Sequence, residues 1–213
     1  GWIEGTALED GVNEGAGVLI DLKWYLVDGD ENEGVRIYDL QQGEWSLGAA
    51  RPGAAHRGPA GGTDGTAFFV AGGADGNLNG TNATHKYDPG LNEWSTVAPM
   101  PTARGVVAHA VVGDKMYVFG GRDKALSGST IVDAVEAYDM VNDTWTELTD
   151  MPTKRNSAFA AAIGTRIVVA GGFGGSSALD VIEVYDTVND SWESCDATMS
   201  SAFSGGAAAT LNG

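Results

Sequence analysis

The chain has 213 residues, of which 32 are glycine, and it carries 29 acidic against 12 basic residues, a formal net charge of −17. Proteins bind nucleic acids and anionic membrane surfaces through Lys and Arg side chains, so the net negative charge of this chain argues against both as partners. No Gly-X-Y period is present, which excludes a collagen-like helix. No apolar run reaches the roughly 18 residues of a membrane-spanning helix. Cys195 is the single cysteine, which excludes an internal disulfide framework.

Short runs rich in β-branched and aromatic residues alternate with turn sequences along the chain. In chain order, residues 53–62 occupy the position of a first strand, although they are rich in Gly, Ala and Pro. The clearest unit follows, with strand-like runs at 106–112, 115–119, 135–138 and 144–148. No segment shows a sustained apolar period of about 3.6 residues. The sequence therefore predicts an all-β fold with four short strands per unit.

Four sequence markers recur with a common period, which indicates a repeat architecture. Tryptophans recur every 43 to 51 residues, at Trp2, Trp45, Trp94, Trp145 and Trp192. A Tyr-Asp pair begins seven residues before each of the last four, at Tyr38, Tyr87, Tyr138 and Tyr185. Glycine pairs end a strand in three units, at Gly72-Gly73, Gly120-Gly121 and Gly171-Gly172. An arginine precedes each glycine pair by 15 or 16 residues, at Arg57, Arg104 and Arg155.

This pattern resembles the Kelch repeat, in which Gly-Gly is followed by Tyr-Asp, an Asn-containing turn, Trp, and a Met-Pro…Arg segment. One copy reads Tyr87-Asp88, Asn92-Glu93-Trp94 and Met100-Pro101-Thr102-Ala103-Arg104. The next copy reads Tyr138-Asp139, Asn142-Asp143-Thr144-Trp145 and Met151-Pro152-Thr153-Lys154-Arg155. The resemblance implies a Kelch-type β-propeller of four-stranded blades.

A single propeller segment is predicted to cover residues 1–213, with four complete repeats and a partial blade at each end. The predicted units are 1–11 (partial), 12–56, 57–103, 104–154, 155–201 and 202–213 (partial). Trp2 matches the last strand of a blade, and residues 204–211 match a first strand. Kelch propellers commonly have five to seven blades, so the resemblance implies a fragment of a longer ring.

We interpret the repeated residues as scaffold. Glycine pairs suit a backbone at positive φ or close to a neighbouring strand. Tyr and Trp supply large apolar faces between blades. Arg57, Arg104 and Arg155 are expected to join one blade to the next through hydrogen bonds to backbone or carboxylate groups, with a ligand-facing role as the alternative.

Function in a propeller is expected in loops that differ between blades. Strand alternation places the loops after Gly-Gly and after Met-Pro on one face of the molecule. Gly, Asn, Ser and Thr dominate these loops. Among the loops after Gly-Gly, Phe173 is the only aromatic candidate for an exposed anchor. The candidate binding residues on this face are Asn77, Asn79, Asn82, Arg122, Lys124 and Phe173.

An acidic turn in the first unit resembles the start of a calcium loop. Asp28, Asp30 and Asn32 place oxygen ligands at alternate positions. The sixth position is Glu33, where such a loop needs Gly, and the twelfth is Asp39 of the Tyr-Asp marker. The sequence favours a solvated acidic turn over a calcium site, and no other metal or cofactor is predicted.

The sequence gives no recognisable catalytic constellation, and no catalytic residue is assigned. Copper oxidases of this architecture need Tyr and His ligands and a Cys cross-linked to Tyr, whereas His56, His85 and His109 fall in three different units, away from Cys195. No G-x-S-x-G elbow or phosphate-binding loop is present.

Four Asn-x-Ser/Thr sequences are possible glycosylation sites, at Asn79, Asn82, Asn142 and Asn189. The last two fall in the turn before Trp that the repeat itself requires, so Asn79 and Asn82 are the better evidence. A secreted or other extracytoplasmic location is as compatible with the sequence as a cytoplasmic one.

The leading hypothesis is a non-catalytic Kelch-repeat module for protein interaction or assembly, whose partner has a basic or neutral surface. A subunit of a larger complex fits the same features. The alternative is an extracytoplasmic carbohydrate-binding protein or enzyme with its site in the central propeller channel.

Overall fold

The computed structural model describes residues 14–27, 34–53, 57–75, 79–123 and 130–206. Within these ranges the chain forms sixteen β-strands in four antiparallel sheets, which we call blades. Blade 1 contains β1 (Ala16–Ile20), β2 (Lys23–Val27), β3 (Arg36–Asp39) and β4 (Glu44–Leu47). Blade 2 contains β5 (Ala60–Thr63), β6 (Phe68–Ala71), β7 (Thr84–Asp88) and β8 (Glu93–Val97). Blade 3 contains β9 (Ala108–Val112), β10 (Lys115–Phe119), β11 (Val135–Asp139) and β12 (Thr144–Leu148). Blade 4 contains β13 (Phe159–Ile163), β14 (Arg166–Ala170), β15 (Leu179–Asp186) and β16 (Ser191–Phe203).

Strands pair in chain order within every blade, which is the meander of a propeller blade. The predicted all-β propeller of four-stranded blades is confirmed. The run at 106–112 is a strand only from Ala108, because Val106 has a φ of 55° and leaves the extended region. The glycine-rich segment at 53–62 does contain a first strand, β5, and a Cβ atom on its Gly61 would lie 2.9 Å from the Cβ of Ala16 in blade 1. The described part of the chain holds no helix with the length and apolarity that a membrane crossing requires.

Apolar side chains fill the space between consecutive blades. Blades 1 and 2 enclose a cluster that includes Ile20, Tyr25, Val27, Phe68, Val70 and Tyr87. Blades 2 and 3 enclose Phe69, Met100, Met116, Val118, Tyr138 and Met140. Blades 3 and 4 enclose Tyr117, Phe119, Met151, Ile167, Val169 and Tyr185. Blades 2 and 3 therefore each pack their two faces against different neighbours.

A hydrogen-bonded clasp joins each blade to the preceding one through the Trp marker. In blade 3 the indole Nε1 of Trp145 donates to the carbonyl of Ala98 at 2.9 Å. The Asp143 carboxylate accepts from the Ala98 amide and from the Tyr138 hydroxyl, both at 2.8 Å. The same three bonds recur with Trp94, Asn92 and Tyr87 on Ala49, and with Trp192, Asp190 and Tyr185 on Thr149. The repeated Tyr and Trp are thus part of the junctions between blades.

A second set of bonds joins the blades near the central axis. The amide of Gly58 donates to the Glu14 carbonyl, Val107 donates to Gly58, Ser157 donates to Val106, and Gly205 donates to Ser157. Residues with positive φ open each first strand, at Glu14, Gly58, Val106 and Ser157. The left-handed conformation turns the backbone so that one blade can bond to the next.

Candidate functional site

Arg104 joins blades 2 and 3. Its side chain is fully buried, and the guanidinium Nη2 donates to Glu136 Oε2 at 2.9 Å. Further guanidinium bonds reach backbone carbonyls of blade 3, those of Val118, Gly120 and Ala134. The Arg104 carbonyl accepts from the Gly73 amide of blade 2 at 2.9 Å. Burial lowers the pKa of Arg104, and the Glu136 carboxylate counteracts this by favouring the charged form.

Arg155 repeats this arrangement between blades 3 and 4. Its guanidinium donates to Glu183 Oε2 at 2.7 Å, and its carbonyl accepts from the Gly121 amide. The Thr153 hydroxyl donates to the other Glu183 oxygen at 2.6 Å, whereas Glu136 Oε1 has no hydrogen-bond partner among the described residues. The Arg155 guanidinium donates its hydrogens to the Glu183 carboxylate and to backbone carbonyls, so this arrangement can hold blades 3 and 4 together.

Arg57 does not share this position. It forms an isolated bridge with Ala74, and the corresponding bridges are Gly105 with Arg122 and Asn156 with Phe173. Arg57 is therefore equivalent to the residue that follows Arg104 or Arg155. The interval of 15 residues before Gly72, against 16 in the other two units, reflects this shift.

Blade 2 replaces the acid of this pattern by His85. In the register of the Tyr marker, His85 of β7 corresponds to Glu136 of β11 and to Glu183 of β15. His85 is 6% exposed and Arg51 is 5% exposed. Burial, with a smaller contribution from the charge of Arg51, lowers the pKa of His85 to about 4. Burial also lowers the pKa of Arg51 to about 10.

The glycine pairs follow the second strand of blades 2, 3 and 4, and all six residues have positive φ. A Cβ atom on Gly72 would lie 2.7 Å from the Arg104 carbonyl oxygen, so the junction requires glycine there. The bonds of Arg104 and Arg155 therefore depend on the glycine markers beside them.

The predicted binding-face residues occupy loops at one end of the blades. Asn79 and Asn82 are exposed, whereas Arg122 and Phe173 are half-buried, and the backbones of both take part in bridges between loop segments. Phe173 is therefore not a fully exposed anchor. Asn77 and Lys124 lie outside the described residues. The Gly80 amide donates to the Asp123 carbonyl at 3.1 Å, so the loops of blades 2 and 3 are joined.

A cavity of about 670 Å³ lies beside the first strands of blades 1, 3 and 4 and the Gly58-Pro59 segment that precedes the first strand of blade 2. Small and aliphatic residues form much of its wall, and its aromatic or polar side chains are Glu14, Trp24, His109, Ser157 and Phe159. Burial lowers the pKa of His109 to about 4, so its imidazole is neutral at pH 7 and can donate and accept hydrogen bonds.

The residues that could hold calcium or copper are not brought together among the described residues. His85, His109 and Cys195 belong to blades 2, 3 and 4, and Cys195 is exposed. Asp28, Asp30, Asn32 and His56 lie outside the described residues. Within the described ranges, no group of three or more His, Cys, Asp or Glu side chains is arranged to hold a metal ion.

All four candidate glycosylation asparagines are exposed. The Asn142 and Asn189 side-chain amides donate to Asp139 and Asp186 at 3.0 and 2.9 Å, inside the turns before Trp. Asn79 and Asn82 lie in the loop after Gly72-Gly73.

Sequence reasoning missed Glu136, Glu183 and Arg51. Each of the two glutamates precedes a Tyr marker by two residues, and this repeated position is a signal in the sequence that could have identified them. Arg51 stands two residues after the Trp acceptor Ala49, as Met100 and Met151 do after Ala98 and Thr149. The correspondence of Arg51 to these two methionines becomes visible only through the hydrogen bonds of the structure.

A family profile described as the KLHDC2/KLHL20/DRC7 Kelch-repeats domain matches residues 62–212, which is more than half of the chain. The chain belongs to the Kelch-repeat family. Kelch-like protein 26 of Danio rerio is 25% identical over 171 residues, which cover 80% of this chain and 26% of that protein. Kelch-like protein 4 of Homo sapiens is 36% identical over 87 residues, which cover 41% of this chain and 11% of that protein. This Kelch chain thus spans only a minor part of these relatives.

Among solved structures, the one titled "Structure of YjhT" superposes with a TM-score of 0.81 at 18% identity. The match covers 94% of the Kelch chain described here and 69% of the other chain. At this identity the likeness concerns the fold.

Proposed function

We propose that this Kelch chain is a non-catalytic protein-interaction module whose partner binds the loops after β6 and β10, together with the neighbouring loops before β9 and β13. We call this end of the blades the loop face. The carrying observation is that these loops differ in length between blades, whereas the turns at the opposite end are short. From β6 to β7 the chain runs from Ala71 to Thr84, and from β14 to β15 only from Ala170 to Leu179. Kelch-repeat proteins are typically protein-interaction modules, which agrees with this assignment.

Charge on the two ends refines the expected partner. The described loop face carries Asp75, Asp123, Asp133 and Asp150 against Arg57, Arg122 and Lys154. The opposite end carries many of the aspartates, including Asp21, Asp39, Asp64, Asp88, Asp114 and Asp139. A partner with a neutral, polar surface therefore fits the loop face better than a strongly basic one.

Site-specific photocrosslinking in native extract tests this proposal. A photoreactive residue at Asn82 lies on the loop face, and one at Asp114 lies on the opposite end, with both positions exposed. We expect a defined partner of different sequence to be captured from position 82 and not from position 114. Capture from position 114 alone, or no partner from either position, would contradict the proposal.

The central cavity supports a second candidate, a carbohydrate-binding site in the channel. Its volume of about 670 Å³ lies within the usual range for ligand pockets. Trp24 and Phe159 supply aromatic surfaces, and the neutral His109 supplies a hydrogen-bonding group. Titration with a panel of monosaccharides and disaccharides, followed by NMR of the His109 imidazole, tests it. Two results would argue against this site. The imidazole signals of His109 could stay unchanged at millimolar sugar, or the signals of other residues could still shift when sugar is added to the His109→Ala variant.

A further inference from the structure

A threonine completes the ion pair of Arg155 and Glu183 between blades 3 and 4. The Thr153 hydroxyl donates to Glu183 Oε1 at 2.6 Å, and the Thr153 carbonyl accepts from Arg155 Nε at 3.2 Å. We call residues 152–154, which contain this threonine, the closed segment. A single residue thus gives a partner to two atoms that do not take part in the contact between the guanidinium Nη2 and Glu183 Oε2.

The equivalent segment between blades 2 and 3 makes neither bond. Thr102 holds the place of Thr153, two residues after the Met and two residues before the Arg of the repeat. Arg104 Nε and Glu136 Oε1 have no hydrogen-bond partner among the described residues, although their side chains are 0% and 2% exposed. We call residues 101–103 the open segment. One donor and one acceptor of the same ion pair are therefore buried without a bond, which is costly.

The two segments also differ in how they are attached to the neighbouring loop. Lys154 of the closed segment forms an ion pair with Asp133 at 3.5 Å. Asn82 is the equivalent of Asp133, because the carbonyl of each accepts from the amide of the Met that precedes its segment. The open segment has Ala103 in place of the lysine and faces Asn82 in place of the aspartate, so this ion pair cannot form there. The open segment and Asn82 both belong to the loop face.

We propose that the partner protein binds at the open segment through a Ser or Thr residue, whose hydroxyl donates to Glu136 Oε1 and whose carbonyl accepts from Arg104 Nε. The open segment turns aside to admit this residue, which then makes the two bonds that Thr153 makes in the next junction. A residue that supplies both bonds gains affinity, because it removes the cost of two unpartnered buried groups. This inference rests on the proposed function, since it places the partner on the loop face.

A peptide that copies the closed segment is the probe for this site. Acetyl-Pro-Thr-Lys-amide has the sequence of residues 152–154, and acetyl-Pro-Val-Lys-amide has the same charge and a similar shape without the hydroxyl. NMR of the arginine Nε–H groups of the intact chain follows the binding. We expect the threonine peptide to shift the Nε–H signal of Arg104 and to leave that of Arg155 unchanged. The valine peptide should bind about tenfold more weakly, because a hydrogen bond to a charged group is lost.

Variants of the loop face test whether the open segment has to move. Asn82→Asp together with Ala103→Lys copies the ion pair of Asp133 and Lys154 without changing the net charge. This double variant should hold the open segment in place and weaken the binding of the threonine peptide. Lys154→Ala is the matched control, because it removes the ion pair of the other junction, and the Arg104 signal should respond to the peptide as in the wild type.

Urea unfolding shows whether Thr102 closes the site by itself. Thr102→Val should leave the unfolding midpoint unchanged and Thr153→Val should lower it, because only the Thr153 hydroxyl makes a bond to the glutamate. Equal losses in these two variants would overturn the proposal. An unshifted Arg104 signal at millimolar peptide, equal binding of the two peptides, or undiminished binding to the double variant would overturn it as well. None of these results affects the capture from position 82, which tests the loop-face partner separately.

Discussion

Single residues distinguish blades that otherwise share one plan. In blades 3 and 4 a buried arginine meets a buried glutamate, so burial is compensated by a charge-assisted hydrogen bond. In blade 2 the position of the glutamate holds His85, close enough to Arg51 for the arginine charge to act on the imidazole. A protonated His85 would add a second cation to this buried place, so the neutral imidazole is favoured.

The pKa of His85 leads to a pH dependence of stability. The pKa falls from 6.5 in the unfolded chain to about 4 in the folded chain, so the unfolded state binds the proton first as the pH falls. Stability is then fully present above pH 6.5 and is lost progressively down to about pH 4, by roughly 3 kcal/mol. We expect His85→Gln to lose less stability than the wild type between pH 7 and 5 in urea unfolding. Equal losses in the two proteins would exclude this role of His85.

Val106 is the β-branched residue among the positive-φ positions that open the first strands. Its φ is 55°, and the equivalent residues are Glu14, Gly58 and Ser157. A β-branched residue is disfavoured in this region, by about 1–2 kcal/mol. Val106→Asn should therefore raise the free energy of unfolding by about 1 kcal/mol, because Asn tolerates the left-handed conformation. Val112→Asn is the control and should lower stability, since Val112 packs against the core of blades 3 and 4. A destabilised Val106→Asn would show that the valine side chain matters more than its backbone strain.

At the scale of the element, each strand is too short to be stable alone, and the junctions between blades supply the stability. Most strands have four or five residues. The Trp clasp lies on the outer strands, and the arginine lies between the outer strand of one blade and the first strand of the next. A junction is therefore fixed at two separate places along the radius of the propeller.

The Arg104–Glu136 pair is the sharpest test of a junction. Arg104→Ala should lower the free energy of unfolding by about 3–5 kcal/mol, because Glu136 is left charged and buried. The exposed pair Arg166–Glu193 is the matched control, and Arg166→Ala should cost less than about 1 kcal/mol. The double variant Arg104→Met with Glu136→Leu should be more stable than Arg104→Ala in chemical denaturation. A double variant as unstable as the single one would mean that the bonds to backbone carbonyls dominate.

At the scale of the whole molecule, the four blades follow one another around the propeller, and each packs against its neighbours in the chain. The three apolar clusters lie between consecutive blades, so stability should add up from blade to blade as it does in repeat proteins. Equivalent residues are not equally buried, since Trp24 is 42% exposed and Phe68 0%, and Ile163 is 69% exposed and Ile20 4%.

Much of the fold could be predicted from sequence, and less of the candidate site. The strands of blade 3 follow from runs of β-branched and aromatic residues, because alternation and turn residues act locally. The prediction that Arg57 shares the position of Arg104 and Arg155 is wrong by one residue, and the interval of 15 rather than 16 residues before its glycine pair is the sign of that shift. The sequence predicts Phe173 as an exposed anchor, yet the residue is half-buried in a loop whose backbone pairs with Asn156, a pairing that the sequence alone does not reveal.

The sequence by itself determined the repeat, the all-β class and the four-stranded blades, because a fixed period imposes the same local structure on every unit. Only the tertiary structure decided which polar groups meet and which apolar residues stay exposed. Trp24 and Phe68 occupy the same place in their repeats, yet Phe68 is buried because it packs against blade 1, whereas Trp24 is 42% exposed. Burial depends on neighbours in space, which the order of residues within a repeat does not specify.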